Sequence, residues 1–456
     1  MGTTMNWVLG SALALATAFA SAAPAAPVFP LKPSADNRYL VDQNNVPFLM
    51  IGDAPQAMVG NLSVAQAKFF IKDRAKYGIN ALWVNLLCDS YTACNADGTT
   101  FDGIAPFTTP GDLSTPNPAY FDRAEEMLQI AAAHGMVVLL DPIETGGWLS
   151  VLDDNGLKKA KKYGEFLGNR FKDQPNIIWM SGNDFQSWRD KSQNDLVRAV
   201  MRGLAAKDPN HIQTVELDYY VSASLEDRAL RPVLGLNAVY TYRPTYAKEL
   251  SEYKRAAYAP TFLVEANYEF EHNGGTDGGT TQNLRRQEYW TALSGTTGQL
   301  YGSSYSWRLQ GDWADNLDTI GILQLSYVKQ LFEPRAWHDL VPDYAHHVLI
   351  EGYGKFSKSD PIPDDTYATA ARTGDGRLVT AYLPTVRTVT IDMTQLAGTA
   401  TVRWFDPTNA SFVEVGSFAN SGTRQFTPPG NNSGGDGDWV LLMETSRNCA
   451  CLSGDR

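Results

Sequence analysis

Asn176-Ile-Ile-Trp-Met-Ser-Gly-Asn-Asp184 decides how this chain is read. A short apolar run stops at small and polar residues, and the last is a carboxylate. A buried parallel strand delivering an acid to the mouth of a barrel has this pattern. Thr261-Phe-Leu-Val-Glu265 repeats it farther along. These two strand ends are expected to carry a pair of catalytic carboxylates, Asp184 and Glu265.

Working outward, apolar strands alternate with amphipathic helical segments. Phe48 to Asp53 reads as the first strand, with Ser63 capping the following helix. Asn80 to Asn85 is the second. A helix over 118–134 leads to the third, Met136 to Asp141, and the opening stretch is the fourth. Ile212 to Glu216, Leu236 to Tyr240, Thr261 to Glu265 and Gln299 to Ser304 complete eight. Eight strands, each followed by a helical segment, predict a (β/α)8 TIM barrel. A doubly wound sheet would want a glycine-rich fingerprint after its first strand, and Gly52-Asp-Ala-Pro-Gln56 is not one. A small hairpin with an Asn-Asn turn is expected over 38–48.

From about residue 341 short strands separated by turn residues predict a small antiparallel β-sandwich packed on the barrel. Its expected strands are 367–371, 378–382, 388–392, 401–405 and 439–443. The expected division is a signal peptide over 1–22, a catalytic barrel over 28–340, a β-sandwich over 341–445 and a tail over 446–456. The leader reading rests on an apolar run after Met5 and a small-residue cleavage site at Ala20-Ser-Ala22, and it implies export. The run is too short to span a membrane. In an oxidising compartment Cys88 and Cys94, flanking a short polar loop, are expected to pair; otherwise they stay as two thiols. Cys449 and Cys451 are too close for an easy mutual bridge.

The chain has 456 residues and a formal net charge of −12. That acidity disfavours nucleic acid and anionic membranes as partners. The strand ends are rich in acid: Asp53, Asn85, Asp141, Glu144, Asn183, Asp184, Glu216, Tyr240, Glu265, Tyr268 and Glu269. The six histidines are scattered, without a metal-ligand spacing, so no metal or cofactor is expected. There is no Gly-x-Ser-x-Gly elbow. Glycosidic bond cleavage needs one carboxylic acid to protonate the leaving oxygen and one carboxylate to meet the anomeric carbon. Asp184 is therefore read as general acid/base, against the alternative of a helix N-cap. Glu265 is read as nucleophile, against a barrel-mouth ion pair. Glu144 is the reserve acid. Asp53, Asn85, Asp141, Asn183, Tyr240, Tyr268 and Trp307 are candidate substrate contacts. Trp148, Trp188 and Trp313 are further rings that could stack on sugars or simply fill the core.

The chain resembles the apiosidase-like glycoside hydrolases, which join a (β/α)8 domain to a C-terminal β-domain of the collagen-binding type. Arg38-Tyr-Leu-Val-Asp42 with Pro47-Phe48 and Gly52-Asp53 is similar to that family's opening, and Asn117 to Asp122 to the start of its third helix. Asn176-Ile-Ile-Trp179 with Gly182 and Asp184 resembles its fourth strand. Trp404 to Pro407, Phe426 to Pro429 and Asp438 to Leu441 resemble its β-domain. The resemblance implies Asp184 as acid/base, Glu265 as nucleophile, and release of apiose-linked units from the pectin rhamnogalacturonan II. Ala54-Pro-Gln56 departs from the family's usual Thr and Trp, and the loop from Cys88 to Phe107 is longer; both border the pocket. The expected partner is a polysaccharide or oligosaccharide. An endoglucanase or mannanase on the same barrel, a non-catalytic carbohydrate binder and an adhesion protein are the rival readings.

Overall fold

The computed structural model describes residues 26–219, 223–256, 258–273, 275 and 277–445. The expected leader and the C-terminal cysteines lie outside them. Eight parallel strands form the barrel: β1 Met50–Asp53, β2 Ala81–Asn85, β3 Val137–Asp141, β4 Ile177–Phe185, β5 Gln213–Leu217, β6 Asn237–Tyr240, β7 Thr261–Glu265 and β8 Gly298–Tyr301. Their order is β5-β4-β3-β2-β1-β8-β7-β6. β8 pairs with both β1 and β7, which joins the two ends of the chain's alternation. Between β5 and β6 one side chain closes the seam. Ser224 donates to the Val215 carbonyl of β5 at 2.6 Å and accepts from the Ala238 amide of β6 at 2.8 Å.

The helices are α1 Met58–Asn61, α2 Val64–Lys76, α3 Pro118–Ala133, α4 Thr145–Phe171, α5 Lys191–Lys207, α6 Thr245–Tyr253, α7 Thr281–Ala292 and α8 Ile320–Phe332. Ser63 caps α2 in a reciprocal capping box with Gln66, satisfying two otherwise orphaned amides. One expectation fails: among the described residues no α-helix follows β5, and two 3-10 turns stand there, Ser224–Glu226 and Arg231–Val233. Pro232 and Gly235 leave too short a run to repay helix nucleation.

The strands read as continuous apolar runs because both faces are buried. Met50, Ala81, Trp83, Val137, Leu139, Ile178, Met180, Phe262 and Val264 belong to a cluster running through the barrel. The alternate residues Ile51, Leu82, Val84, Val138, Leu140, Ile177 and Trp179 pack in the cluster shared with the helices. Near the N-terminus Lys32–Pro33 pairs with Leu40–Val41. Val41 also bridges Pro47 around the expected Asn-Asn turn. Leu31, Leu40 and Phe48 join the inner cluster and close the end opposite the strand C-termini.

The C-terminal strands are β9 Leu340–Pro342, β10 Leu349–Glu351, β11 Thr369–Thr373, β12 Leu378–Leu383, β13 Val389–Asp392, β14 Ala400–Phe405, β15 Phe412–Phe418, β16 Thr423–Phe426 and β17 Trp439–Thr445. They form antiparallel sheets β9-β11-β12-β17-β14-β15 and β10-β13-β16. β9, β10, β15 and β16 were not among the expected strands. The larger sheet is covered twice. Val379, Ala381, Leu441 and Met443 meet the smaller sheet, while Leu378, Tyr382, Val440 and Leu442 pack in the cluster of the barrel helices. Arg285 of α7 crosses that junction and donates to both oxygens of Asp438 at 2.8 Å.

Candidate active site

The site is built on the end of β4. From Ser181 to Phe185 the chain takes four steps while β5 takes two, from Val215 to Leu217. The extra residues form a bulge, and bulges beside active sites re-aim side chains. Gly182, Asn183 and Asp184 all have positive φ, at 131°, 72° and 55°. Only glycine adopts the first at no cost, and non-glycine residues in the left-handed region need support from outside. That support is visible. Thr145 donates to the Gly182 and Asn183 carbonyls at 2.6 and 3.1 Å. Glu216, at the end of β5, accepts the Asp184 amide at 2.5 Å.

Gly182 has a second constraint. A Cβ there would stand 2.1 Å from the Glu216 carbonyl oxygen, a backbone atom that cannot swing away. Gly182→Ala should therefore shift the bulge and lower turnover by at least about 100-fold, the scale of an ångström-sized misplacement. Steady-state kinetics alongside a melting curve checks this. A folded variant with wild-type turnover would show that the bulge does not set the acid's position.

The opposing carboxylate is Glu265, at the end of β7 and buried. Tyr242 donates to its Oε1 at 2.9 Å and Tyr268 to its Oε2 at 3.0 Å. Tyr240 and Tyr242 share a 2.5 Å hydroxyl contact. Tyr91, from the loop after β2, donates to Asp184 Oδ2 at 2.5 Å. Tyr240 lies within hydrogen-bonding influence of both carboxylates.

Burial pushes Asp184 up, partly opposed by hydrogen bonds from Tyr91 and Tyr240. Burial and the charge of Asp184 push Glu265 up to about 8, opposed by Tyr240, Tyr242 and Tyr268. Glu216 is also raised well above the usual carboxylate range, by burial and by the charges of Asp184 and Glu265. Glu265 is buried and Asp184 half-buried, each raises the other's affinity for a proton, and phenols donate to both.

The other expected residues divide. Asn85 and Asp141 share the inward parity of Trp83 and Leu139. Asn85 takes the Trp83 indole N–H at 3.0 Å, and Asp141 takes the Ile143 amide at 3.0 Å. Asn183 donates to Gln56 at a long 3.5 Å, and Gln56 donates to the Tyr268 hydroxyl at 3.5 Å. Asn85 Nδ2, Asn183 Oδ1 and Glu216 Oε1 are buried without a partner among the described residues. Trp307 donates its indole N–H to Glu271 at 2.6 Å.

Asp53 is a correction. It shares parity with Ile51, not with Met50, and so faces the helices. There it pairs with buried Arg74 at 2.6 Å and accepts from Ser306 at 2.8 Å. Glu269 also faces the helices, accepting from Tyr301, Thr319 and the Gly321 amide at the start of α8. Glu144, the reserve acid, is pushed up to about 9 by burial and accepts the Asp89 amide at 3.2 Å. Trp148 and Trp313 are core residues, packed against Phe107 and against Phe69 and Phe70. Trp188 is 44% exposed. Among the described residues no group of three or more His, Cys, Asp or Glu side chains is arranged to hold a metal. A cleft of about 1020 Å³ lined by Asn80, Gly135 and Lys329 opens at the other end of the barrel, away from the strand C-termini.

The family described as "Apiosidase-like, catalytic domain" matches residues 34–339, and "Putative collagen-binding domain of a collagenase" matches 358–444. The chain belongs to the apiosidase-like family. Two solved structures share its fold: one titled a glycoside hydrolase, and a glycoside hydrolase family 5 protein from Bacteroides vulgatus. Each is 21% identical with a TM-score of 0.78 and covers 91% of this chain; 97% and 93% of their own chains are matched. Among curated proteins no sequence matches. By its family this apiosidase-like chain is a glycoside hydrolase.

Tyr91, Tyr242 and Gln56 join the site of this apiosidase-like barrel beyond the residues that strand ends point to, and Glu216 is a strand-end acid that supports the bulge. Tyr242 had a signal, since it stands two residues after Tyr240 and shares its face. Gln56 stands where the sequence departs from the family's opening. Nothing local to Tyr91 points to Asp184, which is 93 residues away.

Proposed function

We propose that this glycoside hydrolase cleaves by a retaining, two-carboxylate mechanism. Asp184 protonates the glycosidic oxygen as the bond to the anomeric carbon breaks. Glu265 attacks that carbon from the opposite side and forms a glycosyl-enzyme. Asp184, now a carboxylate, takes a proton from water, and the water's oxygen displaces Glu265. The observation that supports this reading is the tyrosine set around Glu265. Donors on both of its oxygens, from Tyr242 and Tyr268, favour the ionised form that a nucleophile needs, against the burial that raises it. Asn183, Asn85 and Trp307 are proposed to hold the sugar.

The proposed substrate is a plant or microbial polysaccharide, with apiose-linked pectic glycosides first in line because of the family. Export is proposed from the apolar leader and is supported by the bridge between Cys88 and Cys94. The mass of the protein's N-terminus in culture fluid tests it.

The experiment for the function is digestion of pectic and hemicellulosic polysaccharides with product analysis, followed by proton NMR of the first anomer formed. The expected result is release of a sugar that keeps its anomeric configuration. An inverted first product would overturn the retaining mechanism, and release from no substrate would overturn the assignment of these residues to glycoside hydrolysis.

A further inference from the structure

We propose that Tyr91 is a positioning residue for the acid Asp184, and that the Cys88–Cys94 bridge keeps it there, making the protonation step sensitive to thiols. The inference rests on the two-carboxylate reading and deepens it.

The loop that carries Tyr91 leaves β2 and closes on itself after six residues through the disulfide. Two elements, α1 and the start of α4, hold it. The two sulfurs lie over Gly60 of α1, where a Cβ would come within 2.6 Å of each. Asn61 beside it donates to the Ala93 carbonyl at 3.0 Å. The first turn of α4 presents two glycines: a Cβ on Gly146 would stand 2.2 Å from the Tyr91 ring, and one on Gly147 2.1 Å from Asp89 Oδ1. Asp89 in turn accepts the Tyr91 amide at 2.8 Å, and its own amide donates to Glu144. The ring is 45% exposed, so burial alone does not fix it. What fixes it is the loop beneath and the 2.5 Å hydroxyl contact with Asp184 Oδ2.

The ionisable groups around this contact are Asp89 and Glu144 on the loop side, and Glu216, Asp218, Tyr240 and Glu265 on the barrel side. Burial and the neighbouring carboxylates push the Tyr91 phenol up, so it stays a donor. A donor favours the carboxylate form of Asp184. That form appears as the proton passes to the leaving oxygen, so the contact strengthens along the acid step.

The test is Tyr91→Phe, which removes one hydroxyl and keeps the ring. On a natural glycoside kcat/KM should fall about ten- to hundred-fold, the worth of one hydrogen bond to a charged group. The alkaline limb of its pH profile should move upward, because Asp184 loses a group that lowers it. On a glycoside with an activated phenol leaving group, which needs no protonation, formation of the glycosyl-enzyme should keep its wild-type rate. A purely structural role would lower both substrates alike and would overturn the proposal. The double variant Cys88→Ser with Cys94→Ser, and wild type in dithiothreitol, should show the same split. Wild-type behaviour from the disulfide-free enzyme would overturn the bridge's role. A readout without turnover separates this inference from the function. In protein labelled at the aspartate carboxyl carbon, the Asp184 signal, assigned by its loss in Asp184→Asn, should titrate at higher pH in Tyr91→Phe. An unchanged titration rejects the Tyr91 contact even if hydrolysis is established. A shifted one supports it even if no glycoside is cleaved.

Discussion

Glu265→Ala is expected to reduce turnover by at least about 10³-fold on any substrate the enzyme cleaves, because the covalent step loses its nucleophile. The loss should be the same for good and poor leaving groups, since both need attack at the anomeric carbon. Asp184→Ala should behave differently. It removes the proton donor, so the loss should be large on natural glycosides and small in the first step on activated ones. Added azide separates the roles further. In Glu265→Ala it can occupy the space of the missing carboxylate and attack the substrate directly, giving a glycosyl azide of inverted configuration. In Asp184→Ala it attacks the glycosyl-enzyme and gives the retained one. Equal sensitivity of the two variants to the leaving group, or swapped azide products, would reverse the roles. Tyr240, Tyr242 and Tyr268 would remain in both variants, so the contrast reads the carboxylates and not the pocket around them.

Arg285→Ala is expected to lower the stability of the whole chain by about 3–5 kcal/mol, the cost of leaving a buried charge unpaired. Arg285 and Asp438 are both buried. Without the guanidinium, Asp438 keeps only Asn432 at 2.9 Å and Tyr382 at 3.3 Å. The Arg285 head also reaches Gln324 of α8 and Asp436 at 2.9 and 2.6 Å, so it ties two barrel helices to the C-terminal sheet. Around it Tyr289 stacks on Tyr382 with centroids 5.2 Å apart. Trp290 donates to the Tyr367 carbonyl at 2.9 Å. One hydrophobic cluster spans the junction, so the barrel and the sheet should unfold together, at a lower urea midpoint in the variant. Arg285→Lys should recover only part of the loss, because an ammonium cannot fork onto both oxygens. A variant that unfolds at the wild-type midpoint would show that this ion pair adds nothing over its replacement by water.

The barrel was legible because a parallel sheet buried on both faces leaves a signal that needs no partner to be seen. Ile177 and Ile178 are both buried, one toward the helices and one inside the barrel, so the run reads as continuous apolar sequence. The same property hid Asp53. When both faces are apolar, alternation does not say which is inward, and only the assembled barrel shows Asp53 turned to Arg74. The C-terminal strands were partly legible. β17 is a plain apolar run, whereas β15 is a largely exposed edge of mixed residues with little pattern to detect.

The sequence by itself determined that two carboxylates, Asp184 and Glu265, end the fourth and seventh of eight buried strands. Hydrophobic patterning is local and survives in the linear order. Only the tertiary structure decided how a short aspartate is aimed. Gly182, Asn183 and Asp184 hold left-handed backbone because Thr145 and Glu216, from two other elements, satisfy the bulge. It also decided what surrounds the acids: Tyr91 on Asp184, and Tyr242 and Tyr268 on Glu265. A conformation that costs free energy locally persists only when distant groups repay it, and distant groups are what a linear sequence does not bring together.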